Sequence, residues 1–409
     1  MSRLRLLAIA CCALASFAHD RSYAATPEEL LCSRPVIPQD SYLISEKWTK
    51  KYADLRSLEW QSLVNEAESG SVTAQAVVAM RALEGKHDGS AEEGLRYLAQ
   101  ARSQNEPFAL YISGTLEQLG RYVDRNLALA HEHFQLSADL GFVPAKQSIA
   151  ADYLLGSGTR QDYEKARTSA EAAVEDGYVS ANQILGVIYN KGLGVPQDTQ
   201  KGFLYAKEAA DAGDPAGQFD VARQLLLGEG LPADSKGAYR YATSAYCNGL
   251  KLAGLIIGKI ELSRSTPQSV GLAADLFAEL ADQGNPDAAL TLSDLYLFKK
   301  YGMFNLDRAF HYLSLASNAG LPGARYRYGA ALLRYGRNKE EHELGEQKLT
   351  EAANAGDANA QYDLGVAYSK GTELSLDANA AKLWFERAAE AGNADAKAAL
   401  QDWPMSKKD

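Results

Sequence analysis

The residues most able to do chemistry form a run of basic and tyrosine side chains late in the chain. Between Leu295 and Lys339 there are eight basic residues and one acid, Asp307, in a chain whose formal net charge is −10. Arginine beside tyrosine suits carboxylate groups, because the planar guanidinium donates hydrogen bonds in pairs. We therefore predict a binding site for an acidic protein or an acidic sugar polymer. The candidate binding residues are Lys299, Lys300, Arg325, Arg327, Arg334, Arg337, Tyr326 and Tyr335.

Helical spacing places part of this basic run on one face of a predicted helix. Arg327 and Arg334 are seven residues apart, so they share a helix face, opposite the face that holds Ala324, Tyr328 and Leu332. A competing interpretation is a solvated basic face that balances the acidic run Glu340, Glu341, Glu343 and Glu346. The sequence leaves both interpretations open.

Catalytic and metal-binding patterns find little support. His131 and His133 are two residues apart on a predicted helix, so they point about 200° apart and cannot share a metal ion. The chain has no His-Glu-x-x-His motif, no paired-cysteine zinc spacing and no Gly-x-Ser-x-Gly elbow. We expect no enzyme activity, no metal and no cofactor. The other histidines after residue 24 are His87, His311 and His342.

Three Gly-x-Gly pairs resemble phosphate loops. They are Gly156-x-Gly158, Gly192-x-Gly194 and Gly228-x-Gly230. A dinucleotide fingerprint needs a preceding strand and a third glycine that opens a helix, and neither is present. The sequence therefore predicts that these pairs are turns between helices.

The first 24 residues are typical of a secretory signal. Arg3 and Arg5 precede an apolar stretch, and Ala24 ends a small-residue cleavage site. Its removal would leave a net charge of −12, and we expect a periplasmic or secreted protein. Lipidation at Cys11, the one route predicted here to membrane association, is less favoured because the apolar stretch before it is short. An acidic chain does not suit nucleic acid, which needs a broad basic footprint.

Two cysteines follow the predicted signal, Cys32 and Cys247. An oxidising compartment would permit a bridge between them. However, Cys32 precedes the repeats described below and Cys247 lies in their middle. The favoured interpretation is therefore one surface thiol and one small buried residue, with the bridge left open.

A glycine recurs along the chain at intervals of 36 or 35 residues. Helix-forming, alanine-rich stretches precede it, and a helix start such as Asp214-Pro215 follows it, so each glycine should end helix B of one repeat and lead into helix A of the next. Counting predicts nine full repeats with a half-unit at each end. The series is Gly70, Asn105, Gly141, Gly177, Gly213, Gly249, Gly284, Gly320, Gly356 and Gly392.

Two further positions carry small residues throughout. They stand four and nine residues after each glycine, as at Ala181 and Gly186. Glycine inside a helix costs about 1 kcal/mol relative to alanine, so it needs a packing reason. We predict that both positions let helix A press closely against its hairpin partner, helix B.

The pattern resembles the Sel1-like repeat family, relatives of the tetratricopeptide repeat. The clearest unit runs from Ala181 through Gly192-Leu193-Gly194 to Gly213, and the resemblance covers about residues 50 to 400. Repeats 1, 2, 6 and 8 depart from it by losing the glycine-rich loop. The resemblance implies an all-α fold, a right-handed α-solenoid of about nine helix-turn-helix repeats with half-repeat caps.

From these features we predict that the protein functions by binding other molecules. We expect a non-catalytic envelope scaffold that holds other envelope proteins on the concave surface of the solenoid. The alternative is an exopolysaccharide secretion component that binds an acidic polymer, as some exported family members imply. Hydrolase activity, ascribed to cysteine-rich relatives, is less favoured because the repeats hold one cysteine. The predicted divisions are a signal peptide at 1–24, an irregular segment at 25–47, the repeats at 48–403 and a polar tail at 404–409.

Overall fold

The computed structural model describes residues 26–32, 50–84, 89–372, 374–401 and 403, and within these the secondary structure is helical without strands. The predicted signal peptide, His87 and the polar tail lie outside the described residues. The α-helices are α1 Pro27–Cys32, α2 Lys50–Arg56, α3 Trp60–Glu68, α4 Val72–Glu84, α5 Ala91–Ser103, α6 Pro107–Leu119, α7 Leu127–Asp139, α8 Pro144–Leu155, α9 Tyr163–Glu175, α10 Asn182–Lys191, α11 Thr199–Asp211, α12 Pro215–Leu227, α13 Ser235–Cys247, α14 Gly254–Arg264, α15 Pro267–Asp282, α16 Pro286–Leu297, α17 Leu306–Asn318, α18 Ala324–Tyr335, α19 Lys339–Asn354, α20 Ala358–Lys370, α21 Ala378–Glu390 and α22 Ala394–Gln401.

These helices form the predicted tandem repeat. From α4 to α21 the described chain makes nine A–B helix pairs, with α3 before them and α22 after them as half-units. The recurring glycines all adopt left-handed backbone angles, with φ between 77° and 100°, and Asn105 does the same at φ 55°. A helix that ends in this conformation satisfies its last carbonyls and turns sharply, which confirms the role predicted for the series.

Each B helix of the nine pairs begins at a side-chain cap. The capping oxygen accepts a hydrogen bond from an amide two or three residues further on, which satisfies one of the helix's free donors. Asn126, for example, accepts from the Leu129 amide at 3.1 Å. The nine caps are Ser90, Asn126, Asp162, Asp198, Asp234, Thr266, Asn305, Asn338 and Asp377.

The two small positions pack against different helices. A Cβ on Gly258 would lie 2.6 Å from the Phe277 ring of its own helix B, which confirms close approach to the hairpin partner at the later position. At the earlier position the prediction is wrong, because a Cβ on Gly217 would lie 2.8 Å from the Ala210 nitrogen, in helix B of the preceding repeat. One small position therefore closes the hairpin and the other stacks consecutive repeats.

The Gly-x-Gly pairs lie in the turns between helices A and B, as predicted. Gly158, Gly194 and Gly230 have φ near 70° and face the first turn of the preceding repeat's helix B. In repeat 2 the equivalent residue is Tyr122, which also has a positive φ of 64°. The turn keeps its left-handed geometry there although the glycine is absent.

The chain divides into two compact units, one spanning residues 31–256 and the other residues 257–409 together with the residues up to 30. Each unit is a tandem stack of helix pairs, the arrangement of an α-solenoid. The buried side chains follow the seams between helices, as with Phe134 and Leu185 in the first unit and Phe277 and Leu292 in the second.

Of the predicted segment 25–47, residues 26–32 are described and contain α1, and the rest lies outside the described residues. Thr26 and Glu29 form a reciprocal cap: the Glu29 amide donates to Thr26 Oγ1 at 3.2 Å and the Thr26 amide donates to Glu29 Oε2 at 2.7 Å. Pro27 occupies the first helical position, where its missing N–H costs nothing. This Thr-Pro-Glu-Glu sequence is a helix start that lies outside the repeat pattern.

The favoured interpretation of two unpaired cysteines is wrong. Cys32 is the last residue of α1 and is bonded to Cys247, with Cα atoms 5.5 Å apart. The bond joins the N-terminal segment to the end of α13 in repeat 5, both within residues 31–256. The place of Cys32 before the repeats argued against the bridge, but the structure brings Cys32 next to Cys247.

Candidate binding surface

The eight predicted binding residues all lie in the unit that contains residues 257–409. Lys299 and Lys300 form a 3₁₀ turn between α16 and α17, five residues lie along α18, and Arg337 follows it. Ala324, Tyr328 and Leu332 are buried on the inner side of α18, as the spacing predicts. The structure therefore brings the residues of α18 together on one element and places the two lysines one repeat earlier.

Most of the predicted arginines are held by carboxylates from other helices. Arg327 pairs with Asp294 of the preceding helix A. Arg325 Nε lies 3.4 Å from Glu351 Oε2. Arg337 Nη2 lies 2.6 Å from Asp307 Oδ1 and 2.9 Å from Glu341 Oε1. These cations are therefore engaged within the repeats.

Contacts and burial shift the pKa values of these groups so that each keeps the protonation state that its pair requires. Hydrogen bonds to Glu341 and then Asp307 raise the pKa of Arg337, and the Arg337 guanidinium lowers the pKa of Glu341. Tyr326 donates to Asp363 at 2.9 Å, and burial followed by the Asp363 charge raises the pKa of Tyr326. The Tyr326 hydroxyl thus links helices α18 and α20 and is occupied.

Three of the predicted cations contact aromatic rings and have no carboxylate partner among the described residues. Lys299 Nζ lies 5.3 Å from the Phe304 ring centroid, and Lys300 Nζ lies 4.5 Å from that of Tyr301. The Arg334 guanidinium lies 5.4 Å from the Tyr335 ring. All three cations are exposed. Lys299, Lys300 and Arg334 are accordingly the part of the predicted site that remains open to a ligand.

An exposed row of leucines in the other unit was missed by the sequence analysis. Leu119, Leu155 and Leu227 are the last residues of α6, α8 and α12, at equivalent positions in repeats 2, 3 and 5. Their exposed fractions are 64%, 72% and 60%. Large apolar side chains repeated at one exposed position form an unusual surface for a stack of helices. The signal was their separation by 36 and 72 residues. In repeat 4, between Leu155 and Leu227, the same position holds Lys191.

The two histidines on α7 turn to different helices, as their spacing predicts. His131 Nδ1 lies 2.9 Å from Asp152 Oδ2 of α8, and His133 Nδ1 lies 2.7 Å from Glu117 Oε2 of α6. Both carboxylates are buried, and burial raises the pKa of Asp152. The pairs join α7 to the helices on either side, which is a structural role.

No group of three or more potential metal ligands occurs within the described ranges. A search of the same residues for a helix long and apolar enough to cross a membrane found none.

Comparisons with known proteins recover the repeat. A family model described as the Sel1 repeat matches residues 107–142, 149–168, 179–214, 215–250, 299–321 and 358–393. The matches fall in repeats 2, 3, 4, 5, 7 and 9. Repeat 2 is therefore matched although its loop departs from the pattern. A search of curated protein sequences found no match.

A solved structure shows the same fold class. The crystal structure of a protective antigen of uropathogenic Escherichia coli strains, displaying an SLR fold, is 24% identical, covers 84% of this chain and 82% of that one, and has a TM-score of 0.55. A Sel1 repeat protein from Oxalobacter formigenes is 23% identical over 91% of this chain and 98% of its own, with a TM-score of 0.35. An immunity protein from Pseudomonas aeruginosa is 16% identical over 53% of this chain and 82% of its own, with a TM-score of 0.38.

Sel1 repeats generally act as protein-interaction scaffolds and are typically non-catalytic. In the described residues, nine helix pairs share one period, and segments of six of them match the family model. The chain therefore contains Sel1 repeats, matched in six of its nine described helix pairs.

Proposed function

We propose that this protein is a non-catalytic scaffold, exported to the periplasm or beyond, that holds another envelope protein on the ends of its A helices. The observation that carries the proposal is the row Leu119, Leu155 and Leu227, because exposed apolar side chains at one repeated position suit a partner that spans several repeats. Lys191 interrupts the row and favours a partner segment with an acidic residue between apolar ones.

Export is supported by two features. The N-terminal 24 residues are typical of a signal peptide. The Cys32–Cys247 bond is of the kind that persists in oxidising compartments and is rare in the cytosol.

Replacing the leucine row tests the scaffold. The triple variant Leu119→Ser, Leu155→Ser and Leu227→Ser should reduce recovery of the cross-linked envelope partner by about tenfold or more, because each anchor loses its buried contact with the partner. The measurement is cross-linking in intact cells, followed by purification and quantitative mass spectrometry of the joined chains. The fold should be retained, since surface substitutions of this kind change stability little.

A matched control uses leucines of similar exposure on B helices. Leu204 on α11 is 60% exposed and Leu383 on α21 is 46% exposed. Leu204→Ser with Leu383→Ser should leave recovery of the partner unchanged. If the triple variant retains its partner, or if the triple variant and the control variant lose it equally, the leucine row is not the docking surface.

A second candidate function is binding of an acidic polymer through Lys299, Lys300 and Arg334. The observation that favours it is their exposure without a carboxylate partner in the described chain. Uronate polymers present closely spaced carboxylates that such cations can bind, and the binding should weaken with salt.

The polymer hypothesis predicts loss of alginate binding on charge reversal. Lys299→Glu, Lys300→Glu and Arg334→Glu together should weaken binding at least tenfold at about 50 mM salt, and wild-type binding should fall steeply by about 500 mM. Binding is measured by biolayer interferometry on immobilised alginate. The control reverses three exposed lysines elsewhere in the same unit, Lys370, Lys382 and Lys397. Equal losses in both variants would reduce the effect to net charge and contradict a site.

A further inference from the structure

A cleft in repeat 3 lies between helices α7, α8 and α9. Its volume is about 330 Å³, within the range of about 300 to 1,000 Å³ that is usual for small-ligand sites. Ile149 and Tyr153 line it from α8, and Lys165, Thr168 and Ser169 line it from α9. Tyr153 is half-buried, and Lys165 and Thr168 are exposed, so a ligand can reach the side chains of the cleft.

Repeats 4 and 7 fill the equivalent place with an aromatic ring of their own. In repeat 4 the Tyr205 ring of α11 stacks on Tyr189 of α10, with centroids 5.5 Å apart and 21° between the planes. In repeat 7 the Tyr312 ring of α17 stacks on Tyr296 of α16, at 6.0 Å and 10°. Stacking at such distances stabilises aromatic pairs. In both repeats helix B therefore covers the tyrosine ring of helix A.

Repeat 3 keeps the tyrosine of helix A but lacks the covering ring. Tyr153 stands at the helix-A position and Ser169 at the covering position, each 36 residues before its counterpart in repeat 4. Repeat 9 has Trp384 at the covering position, in one apolar cluster with Tyr368. Of the four described repeats with a tyrosine at this place in helix A, repeat 3 alone has no aromatic residue opposite it. Because Tyr153 and Ser169 both line the cleft, it takes the place of the missing ring.

A lysine accompanies the tyrosine in both repeat 3 and repeat 4. Lys201 Nζ lies 3.9 Å from the ring centroid of Tyr189 and 5.8 Å from that of Tyr205, so one cation contacts both stacked rings. Lys165 is its counterpart in repeat 3, and its Nζ lies 5.2 Å from the Tyr153 ring centroid. A ring bound in the cleft would stack on Tyr153 and contact the Lys165 ammonium in the same way.

Of the two lysines that line the cleft, Lys165 is the one open to a ligand. Lys146 is paired with the carboxylate of Asp176. Asp139 lines the cleft from α7, where its Oδ1 accepts a hydrogen bond from Gln135 Nε2 at 3.0 Å. Lys165 is exposed, so its ammonium can bind an anionic group attached to the ring.

We propose that this cleft binds an aromatic ring, which stacks on Tyr153 in the place that Tyr205 takes in repeat 4. The hydroxyls of Thr168 and Ser169 suit a ring that carries a phenol group, because each can donate or accept a hydrogen bond. The ring comes from a free aromatic acid or from a tyrosine side chain of a bound protein. The residues of the leucine row do not line the cleft, so this proposal and the scaffold proposal can fail separately.

Ligand-observed NMR with the full chain tests the proposal. The probes are 3-(4-hydroxyphenyl)propionate and N-acetyl-L-tyrosine N-methylamide, and the matched control for each has a cyclohexyl ring in place of the aromatic one. Stronger binding of the acid identifies a free aromatic acid as the ligand, and stronger binding of the capped tyrosine identifies a protein side chain. Each cyclohexyl control should bind about three to ten times more weakly than its aromatic probe, because it cannot stack on a tyrosine ring.

Two variants connect the binding to the open ring position. Ser169→Tyr installs the ring of repeat 4 and should abolish binding, because the new side chain occupies the cleft. Tyr153→Leu removes the stacking surface and should weaken binding about three- to tenfold. Leucine stands at this position in repeats 5 and 8, so the fold accepts it. Circular dichroism verifies that both variants are folded.

Tyr189→Leu is the matched control in repeat 4. It should lower the melting temperature, because the stack with Tyr205 is lost, and it should leave binding of the probes unchanged. Absence of binding by both aromatic probes would overturn the proposal. So would binding of the cyclohexyl controls as strong as that of the aromatic probes, or unchanged binding by Tyr153→Leu.

Discussion

Replacing Cys32 with serine should lower the free energy of unfolding of the oxidised protein by about 2 to 5 kcal/mol. The bond closes a loop of 215 residues, so its loss returns a large conformational entropy to the unfolded chain. It also releases the N-terminal segment from the end of α13. Urea unfolding followed by circular dichroism at 222 nm measures the change, and the transition of the unit spanning residues 31–256 should move most.

Three preparations should agree if the bond is the cause. Cys247→Ser, the double variant and reduced wild type should each unfold at the same urea concentration as Cys32→Ser, because each lacks the same covalent link. Peptide mapping of the unreduced wild type should yield Cys32 and Cys247 in one linked fragment. An unchanged midpoint in Cys32→Ser, or separate cysteine peptides, would contradict the bridge.

The repeat was predictable because its determinants are local. A left-handed residue at the end of each helix B and a capping residue before each helix must occur at fixed intervals, so the series from Gly70 to Gly392 gives the helix pairs directly. Asn105 and Tyr122 keep the left-handed conformation although neither is glycine, because the surrounding helices enforce a positive φ.

The basic binding site was less predictable, because the net charge of a sequence stretch does not show which acids the fold brings to it. Stacking brings residues 33 and 37 positions apart into contact, as with Arg327 and Asp294 and with Tyr326 and Asp363. A stretch that is basic in sequence can therefore be neutralised by acids one repeat away. Charge balance in a solenoid has to be assessed between neighbouring repeats, and that requires knowing which positions meet.

Gly158→Ala should destabilise the protein by about 2 to 4 kcal/mol. Gly158 has a φ of 71°, which disfavours any side chain. A Cβ there would also overlap the carbonyl group of Leu127 and lie 2.9 Å from the Ala128 nitrogen, in the first turn of the preceding repeat's helix B. These are backbone atoms of α7, so relief requires repeats 2 and 3 to separate. Urea unfolding by circular dichroism measures the loss.

Gly141→Ala separates the two contributions to that loss. Gly141 has a φ of 90°, but a Cβ at this position would meet no atom within 4 Å. Its replacement should therefore cost about 1 kcal/mol, the strain of a left-handed alanine alone. The excess cost of Gly158→Ala then measures the contact between consecutive repeats. Equal losses in the two variants would mean that the turn has only a conformational role and that repeats 2 and 3 are held together elsewhere.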